Sequence, residues 1–202
     1  MEALIGVAAF IVVAAITPGP NNLVVMQAAA RGGAAGAFPA IVGVVLGSLA
    51  LLAVVVAGAG AAFEVEPRLR TVLAVGGCLY LSWLGVQLVM GTFRGDARLS
   101  GAPDKPLPTG VLGLFAFQFL NPKSWVMVLT AAAVGQSRAG PLATFLRLSP
   151  LFVVIPTVCL ALWSSLGSAM ARVLKRPAVQ SWFDRGMGLL LVGSAALLLT
   201  GI

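Results

Sequence analysis

Residues 17–22 read TPGPNN and interrupt an apolar stretch that covers residues 3–30. Proline has no N–H, and its ring clashes with the carbonyl four residues earlier, so two prolines this close together break an ordinary helix. Gly19 lies between them and would let the chain turn. Asn21 or Asn22 could then cap a new helix after the break. The stretch therefore predicts two half-helices in place of one continuous span.

The composition indicates a membrane protein. Of the 202 residues, 59% are hydrophobic and 9% are charged, whereas a soluble domain carries about 25% charged residues. Because so few polar groups cannot cover the apolar surface, we expect an all-α integral membrane protein with one transmembrane domain, residues 1–202. The net charge of +7 fits basic loops beside a membrane, and we expect no nucleic-acid partner.

The residue types argue against an enzyme and against a metal site. Histidine is absent, no CxxC pair occurs, and no acidic pair lies inside an apolar stretch. Cys78 and Cys159 lie far apart in apolar surroundings, which is typical of buried free thiols. We therefore expect no catalytic residue, no metal ligand and no cofactor.

Six stretches are apolar enough to cross a bilayer, which takes about 20 residues each. They are roughly 3–30, 37–62, 69–91, 109–134, 148–171 and 183–202. A polar connector, residues 92–108, separates a first half at about 1–91 from a second half at about 109–202. The start, MEALIG, lacks the basic region of a signal peptide, so we expect the first stretch to remain as a span.

Basic residues divide unevenly between the two sides of this six-span arrangement. The side that holds both termini has Arg68, Arg70, Arg138 and Arg147. The other side has Arg31, Arg94, Arg98, Lys105, Arg172, Lys175, Arg176 and Arg185. Because Lys and Arg are enriched in cytoplasmic loops, we expect both termini outside and the connector in the cytoplasm.

The fourth span is also broken, by FQFLNPKSW at residues 117–125. About a dozen apolar residues precede Asn121, which at about 1.5 Å per residue places it roughly 18 Å into the membrane, near the midplane. Each half thus begins with an interrupted span. Two halves of three spans run in opposite senses, so we expect two inverted three-helix repeats with the site where broken helices 1 and 4 meet.

Lys123 is the most informative residue of the second break. Asn121 is a good N-cap and Pro122 a good first helical residue, which places Lys123 in the first turn of a new helix. A lysine at bilayer depth costs about 3 kcal/mol. All six acidic residues lie at or near span ends: Glu2, Glu64, Glu66, Asp96, Asp104 and Asp184. The expected partner is therefore a substrate carboxylate, and the alternative is a lysine that snorkels or caps carbonyls freed by the first break.

Other polar groups near the breaks are candidate substrate contacts. Thr17, Asn21, Asn22, Gln118 and Asn121 are expected to line one cavity with Lys123. Pro18, Gly19, Pro20 and Pro122 are the candidate helix-break and gating residues. Tyr80, beside Trp83, is a further candidate as part of an aromatic wall.

Some residues suit helix packing and membrane interfaces better than a site. Trp163 and Trp182, near span ends, are expected in an interfacial aromatic belt. The glycines of the second span suit close helix packing. Gly43 and Gly47, with Gly186 and Gly193 in the sixth span, could also form the faces of a homodimer.

Four segments occur in the order of a known family. TPGPNN, RGGAAGAFPAIVGVVLG, GGCLYLSWLGVQ and FQFLNPKSW resemble the LysE/RhtB family of amino-acid exporters over nearly the whole chain. Carried over by position, the PGP motif is Pro18, Gly19 and Pro20, and the NPK motif is Asn121, Pro122 and Lys123. The resemblance implies a multi-pass protein of the bacterial inner membrane that exports an amino acid or a relative, with the proton as coupling ion in an antiport.

One departure from the family bears on the substrate. Several members carry an acid within the fifth span, whereas LSPLFVVIPTVCLALW has none and Pro156 occupies the region. Without an acid in the bilayer, a neutral zwitterion or an organic anion fits better than a cationic amino acid. The carboxylate would meet Lys123, and the ammonium would meet the freed carbonyls near Pro18. The alternatives are an ion or metal transporter of the wider superfamily and a non-transporting membrane assembly protein.

Overall fold

A computed structural model of the chain describes residues 2–59, 65, 67–93, 110–171 and 176–199. Those residues form seven α-helices and one π-helical segment, with no strand among them. The helices are α1 (Glu2–Ile16), α2 (Pro20–Val54), α3 (Pro67–Phe93), α4 (Val111–Leu120), α5 (Pro122–Val134), α6 (Pro141–Met170) and α7 (Pro177–Leu199), and the π-helical segment is Val55–Ala59. The prediction of an all-helical chain is confirmed.

The two predicted breaks are present, and a third interruption lies inside α2. α1 ends before the TPGPNN segment, and α4 ends before Asn121. Within α2, Gly33 has φ 64° and ψ −163°, a backbone conformation that favours glycine. A Cβ on Gly36 would lie 3.0 Å from the Ala28 carbonyl oxygen, so the chain doubles back there. The connection between the first two spans is therefore a tight turn at Gly33, which divides Pro20–Val54 into two helices.

Two buried apolar clusters organise the helices. The first, here the α1 cluster, contains Val7, Ile11, Leu51, Leu52, Val55, Met127, Val128, Ala131, Leu148 and Phe152. The second, here the α3 cluster, contains Leu23, Val24, Val25, Met26, Ala28, Ala29, Ala37, Ala40, Val44, Cys78, Leu81, Leu114, Phe117, Leu160 and Met187. The chain passes from the α1 cluster to the α3 cluster at the first break, and from the α3 cluster to the α1 cluster at the second.

Glycines allow α2 to approach α4 closely. A Cβ on Gly43 would collide with the Val111 carbonyl oxygen, and one on Gly47 would lie 2.6 Å from Cγ of Gln118. The prediction of close glycine packing in this span is confirmed. The suggestion that Gly43 and Gly47 form a dimer face is wrong, because both are buried against α4 of the same chain.

Several predicted boundaries need correction. α6 begins at Pro141 and α7 at Pro177, both earlier than the spans predicted from residues 148 and 183. Asp184 therefore lies inside α7, and its carboxylate accepts a hydrogen bond from buried Gln27 at 3.3 Å. By length and composition, two described stretches can cross a membrane, Pro20–Gly58 and Pro141–Met170.

Candidate functional site

The first break is a short extended segment between two helices. Gly19 precedes α2 with φ −170° and ψ 177°, and no side chain caps the helix there. The prediction that Asn21 or Asn22 caps the new helix is wrong, because Pro20 already begins it and both asparagines lie in its first turn. Asn22 turns back instead, and its Nδ2 donates to the carbonyls of Ala15 at 2.8 Å and Thr17 at 2.9 Å.

Two distant residues complete the capping of α1. Lys123 Nζ donates to the Thr17 carbonyl at 2.9 Å, and Trp163 Nε1 donates to the Ile16 carbonyl at 3.3 Å. Trp163 therefore lies at the break, and its expected place in an interfacial belt is wrong. In this conformation the lysine makes the carbonyl-capping contact that the sequence left as an alternative. Carbonyls freed by proline breaks need such donors, since lipid supplies none.

Gly19 provides room for the lysine. Its φ is extended, a conformation open to any residue, so the expectation that Gly19 serves to turn the chain is wrong. A Cβ at this position would lie 2.9 Å from Lys123 Nζ. The side chain of Lys123 thus crosses directly over the PGP motif.

The second break is built as the sequence predicted. Asn121 is the N-cap of α5, with φ −88° and ψ 107°, and Pro122 follows at the first helical position. Oδ1 of Asn121 accepts a hydrogen bond from the backbone N–H of Lys123 at 3.1 Å. The indole of Trp125 donates to the Phe119 carbonyl at 2.9 Å. Every donor named here is within six residues of its acceptor.

A buried amide network joins the two breaks. Asn21 and Gln118 exchange two hydrogen bonds, of 3.0 Å and 2.9 Å. Ser124 Oγ donates to the same Gln118 oxygen at 2.7 Å, and Asn121 Nδ2 donates to Asn21 Oδ1 at 3.4 Å. Gln118 is fully buried and Asn121 nearly so. Such a network fixes the first turns of α2 and α5 beside each other.

A cavity lies where these elements meet. Its lining combines polar groups from both breaks with apolar side chains, and comprises Ala14, Ala15, Gly19, Pro20, Asn21, Asn22, Val44, Ser48, Asn121, Lys123, Ser124, Met127, Pro156 and Leu160. Its volume is about 40 Å³, whereas a cavity of about 150 Å³ accommodates benzene. In this conformation the cavity is too small for a solute as large as leucine.

The structure separates the predicted site residues into three groups. Asn21, Asn22, Asn121 and Lys123 line the cavity, together with Gly19 and Pro20. Gln118 lies behind it in the amide network, and Thr17 contributes its backbone carbonyl while its hydroxyl donates to Val13. Pro18 and Pro122 belong to the breaks but do not line the cavity.

Tyr80 lies away from the cavity. Its ring stacks on Trp83 with centroids 5.9 Å apart and contacts Phe117 at the same distance. It packs against the α3 cluster. The expected aromatic wall exists, but the cavity lining does not include it.

Sequence reasoning missed two serines on the cavity. Ser124 follows the NPK motif directly, so its position in the first turn of α5 was available as a signal. Ser48 lies in the glycine-rich second span, and nothing in the sequence distinguishes it from a packing residue. Among the described residues, no group of three or more His, Cys, Asp or Glu side chains could hold a metal ion.

The cavity chemistry suits a small solute with an acidic group. An ammonium lies at the N-terminus of α5 beside amide groups, and no carboxylate in the described ranges pairs with it. Helix N-termini and ammonium groups both favour anions. Polar groups at paired helix breaks, enclosed by long apolar helices, define a helical membrane transporter.

The chain belongs to the LysE type translocator family, whose model matches residues 12–201. A leucine efflux protein of Enterobacter sp. (strain 638) is 27% identical over 195 residues, which cover 94% of this chain and 90% of the relative. A cysteine/O-acetylserine efflux protein of Salmonella paratyphi A is 27% identical, covering 82% and 83%.

A threonine efflux protein of Escherichia coli (strain K12) is 30% identical over 96 residues, 48% of this chain and 47% of the relative. No solved structure matches the chain. The resemblance drawn from the PGP and NPK motifs is thus confirmed at the level of the family.

Proposed function

We propose that this protein exports neutral amino acids from the cytoplasm and that Lys123 binds the substrate carboxylate. The observation that carries the proposal is the position of the Lys123 ammonium, on a cavity between two helix breaks. Its only hydrogen bond among the described residues is to one carbonyl, that of Thr17. An ammonium has three N–H donors, so two remain for a carboxylate.

The apolar part of the lining supports a neutral substrate. Val44, Met127, Pro156 and Leu160 line the same cavity as Lys123, and no acidic side chain does. A cationic side chain would meet no counter-charge there. Relatives are named for the efflux of leucine, threonine and cysteine or O-acetylserine. The side chains of all these substrates are uncharged.

We propose six membrane crossings arranged as two inverted halves. The first crossing comprises α1 and the start of α2, the second the rest of α2 with the π-helical segment, and the fourth α4 with α5. α3, α6 and α7 supply the others. The support is that the first crossing runs from the α1 cluster to the α3 cluster, while the fourth runs the opposite way.

We propose transport by alternating access, and the small cavity and the contact between Lys123 and Thr17 support it. Because the cavity is too small for leucine, loading requires the lining helices to separate. Lys123 would then leave the Thr17 carbonyl for the substrate carboxylate, and return when the substrate departs. The proton is the coupling ion in this scheme, competing with or accompanying the carboxylate at Lys123.

The proposed location is the inner membrane, with both termini outside. Reporter fusions to Ile202 and within the connector 92–108 test the orientation. A C-terminus that reports a cytoplasmic position would overturn the orientation and leave the two-break site unaffected.

Export itself is tested in cells that lack the gene. Loaded with dipeptides, such cells should accumulate leucine, threonine or cysteine internally, and expression of this chain should lower the internal pool and raise resistance to the matching toxic analogue. Unchanged pools for every neutral amino acid, with the protein present in the membrane, would contradict the proposal.

A further inference from the structure

We propose that the hydroxyl of Ser48 binds the ammonium group of the substrate, as the second polar anchor of the cavity beside Lys123. This inference rests on the proposed function and deepens it. It assigns the two ends of a zwitterion to two different helices, α2 and α5.

The first observation is that Ser48 is buried on the cavity without a partner. Its side chain is 1% exposed and lines the cavity, and within the described part of the chain Oγ has no hydrogen-bond partner. Serine and threonine in a helix can donate to the carbonyl four residues earlier, as Ser165 does to Ala161. Ser48 does not. Because buried polar groups are nearly always paired, an unpaired hydroxyl in the lining points to a ligand.

The second observation is that three carbonyls near the PGP motif already accept hydrogen bonds from protein donors. The Ala15 carbonyl accepts from Asn22, the Ile16 carbonyl accepts from Trp163, and the Thr17 carbonyl accepts from both Asn22 and Lys123. Ser48 Oγ, in contrast, accepts no hydrogen bond from the described residues. Lys123 itself repels a second cation.

The remaining acceptors favour an ammonium. Both hydrogen bonds of the Asn22 side chain to the described residues use its Nδ2 group, so its Oδ1 is left as an acceptor on the same cavity. A serine hydroxyl has two acceptor lone pairs. Ser48 Oγ and Asn22 Oδ1 therefore supply uncharged oxygens for a cation, while Lys123 supplies the positive group for a carboxylate.

The neighbours of Ser48 place the substrate side chain. Val44 lies one helical turn before Ser48 on the same wall, and Leu160 lines the cavity from α6. With the amino end held at Ser48, the side chain of the substrate lies against these apolar groups. An α-amino acid with a small or medium apolar side chain fits this lining: its carboxylate meets Lys123, its ammonium meets Ser48, and its side chain meets the apolar residues.

The experiment compares Ser48→Ala with Ser168→Ala in proteoliposomes. Ser168 is the matched control, because its Oγ is also buried without a partner but lies outside the cavity lining. KM is measured for leucine, threonine and cysteine. The competitors are the analogues of these amino acids in which hydrogen replaces the amino group.

For the fastest wild-type substrate, Ser48→Ala should raise KM by about tenfold or more, the loss expected for one hydrogen bond to a charged group. The inhibition constant of the analogue without an amino group should stay within about twofold, and Ser168→Ala should change neither. Ser48→Cys, which keeps the volume but is a weak acceptor, should resemble Ser48→Ala.

Three results would overturn the inference. An unchanged KM in Ser48→Ala would show that the hydroxyl does not bind substrate. Equal weakening of the amino acid and of its analogue would place Ser48 at the carboxylate. If the wild-type protein transported none of the three amino acids, the proposed function and this inference would both be wrong. The first two results, in contrast, would overturn the inference alone.

Discussion

The two helix breaks lie beside one another but are stabilised in different ways. At the second break Asn121 caps α5 and Trp125 binds the Phe119 carbonyl, so the donors come from the adjacent turn. At the first break, Lys123 and Trp163 reach the ends of α1 from 106 and 147 residues away. The capping donors of the second break are all local, whereas the carbonyls at the end of α1 take two donors from Asn22 nearby and two from distant helices.

This difference indicates which break changes during transport. The second break keeps its donors whatever the other helices do, because they belong to α4 and α5. The first break loses the Lys123 donor if α5 moves relative to α1, and the Trp163 donor if α6 does. Lys123 belongs to both breaks, since its N–H completes the local cap and its ammonium reaches the first break. We therefore expect movement at the first break around a fixed second break.

The largest effect is expected from removing the charge that links the breaks. Lys123→Gln keeps a polar side chain of similar reach, and export of the substrate should fall by about 10- to 150-fold, because a hydrogen bond to a charged group contributes about 1.5–3 kcal/mol. Lys123→Arg should rescue poorly, since a planar guanidinium does not replace a point charge. The measurement is the initial export rate at equal protein level in the membrane.

Lys105→Gln is the matched control for that variant. It makes the same chemical change in the polar connector, at a position outside the described residues, and should export at the wild-type rate. Normal export by Lys123→Gln would show that the lysine is a structural cap alone.

The asparagines test the comparison through stability. Asn22→Ala removes two hydrogen bonds at the first break and should lower the free energy of unfolding by about 2 kcal/mol. Asn121→Ala removes the N-cap of α5 together with the long 3.4 Å hydrogen bond to Asn21, and should cost about 1 kcal/mol. Thermal unfolding in detergent measures both. If Asn121→Ala lowered the free energy of unfolding more than Asn22→Ala does, the side-chain hydrogen bonds at the second break would contribute more to stability than those at the first, contrary to this expectation.

The tryptophans give a smaller and more local test. Trp163→Phe and Trp125→Phe each remove an indole donor while keeping an aromatic ring, so each should cost about 1 kcal/mol. Amide hydrogen exchange should rise across residues 13–18 in Trp163→Phe, whereas in Trp125→Phe the rise should stay within residues 117–125. Equal exchange at both breaks in both variants would contradict a first break held from a distance.

The same contrast explains how much the sequence could predict. The cap at Asn121 and the first helical position of Pro122 followed from neighbouring residues, and both are present in the structure. The role of Asn22 was mispredicted, because its acceptors are carbonyls of the preceding helix. Trp163 was assigned to an interface, since its partner Ile16 is distant in the chain.

Asp184 and Ser48 show the same limit. Asp184 lies inside α7, and its carboxylate accepts a hydrogen bond from Gln27 of α2, a pairing that hydropathy does not predict. Ser48 resembles the small packing residues around it in sequence, and only the assembled cavity distinguishes it. Local helix chemistry was predictable, whereas contacts between helices were not.

The central claim is that Lys123 binds the substrate carboxylate as well as the Thr17 carbonyl, and a comparison of two substrates tests it most directly. In proteoliposomes, kcat/KM is measured for the preferred neutral amino acid and for its carboxamide, in the wild type and in Lys123→Gln. In the wild type, kcat/KM should be about tenfold or more higher for the amino acid than for its carboxamide. In Lys123→Gln the ratio of the two kcat/KM values should fall close to one. If Lys123→Gln slows both substrates equally and keeps the wild-type preference, the lysine serves only to cap α1 and the carboxylate is bound elsewhere.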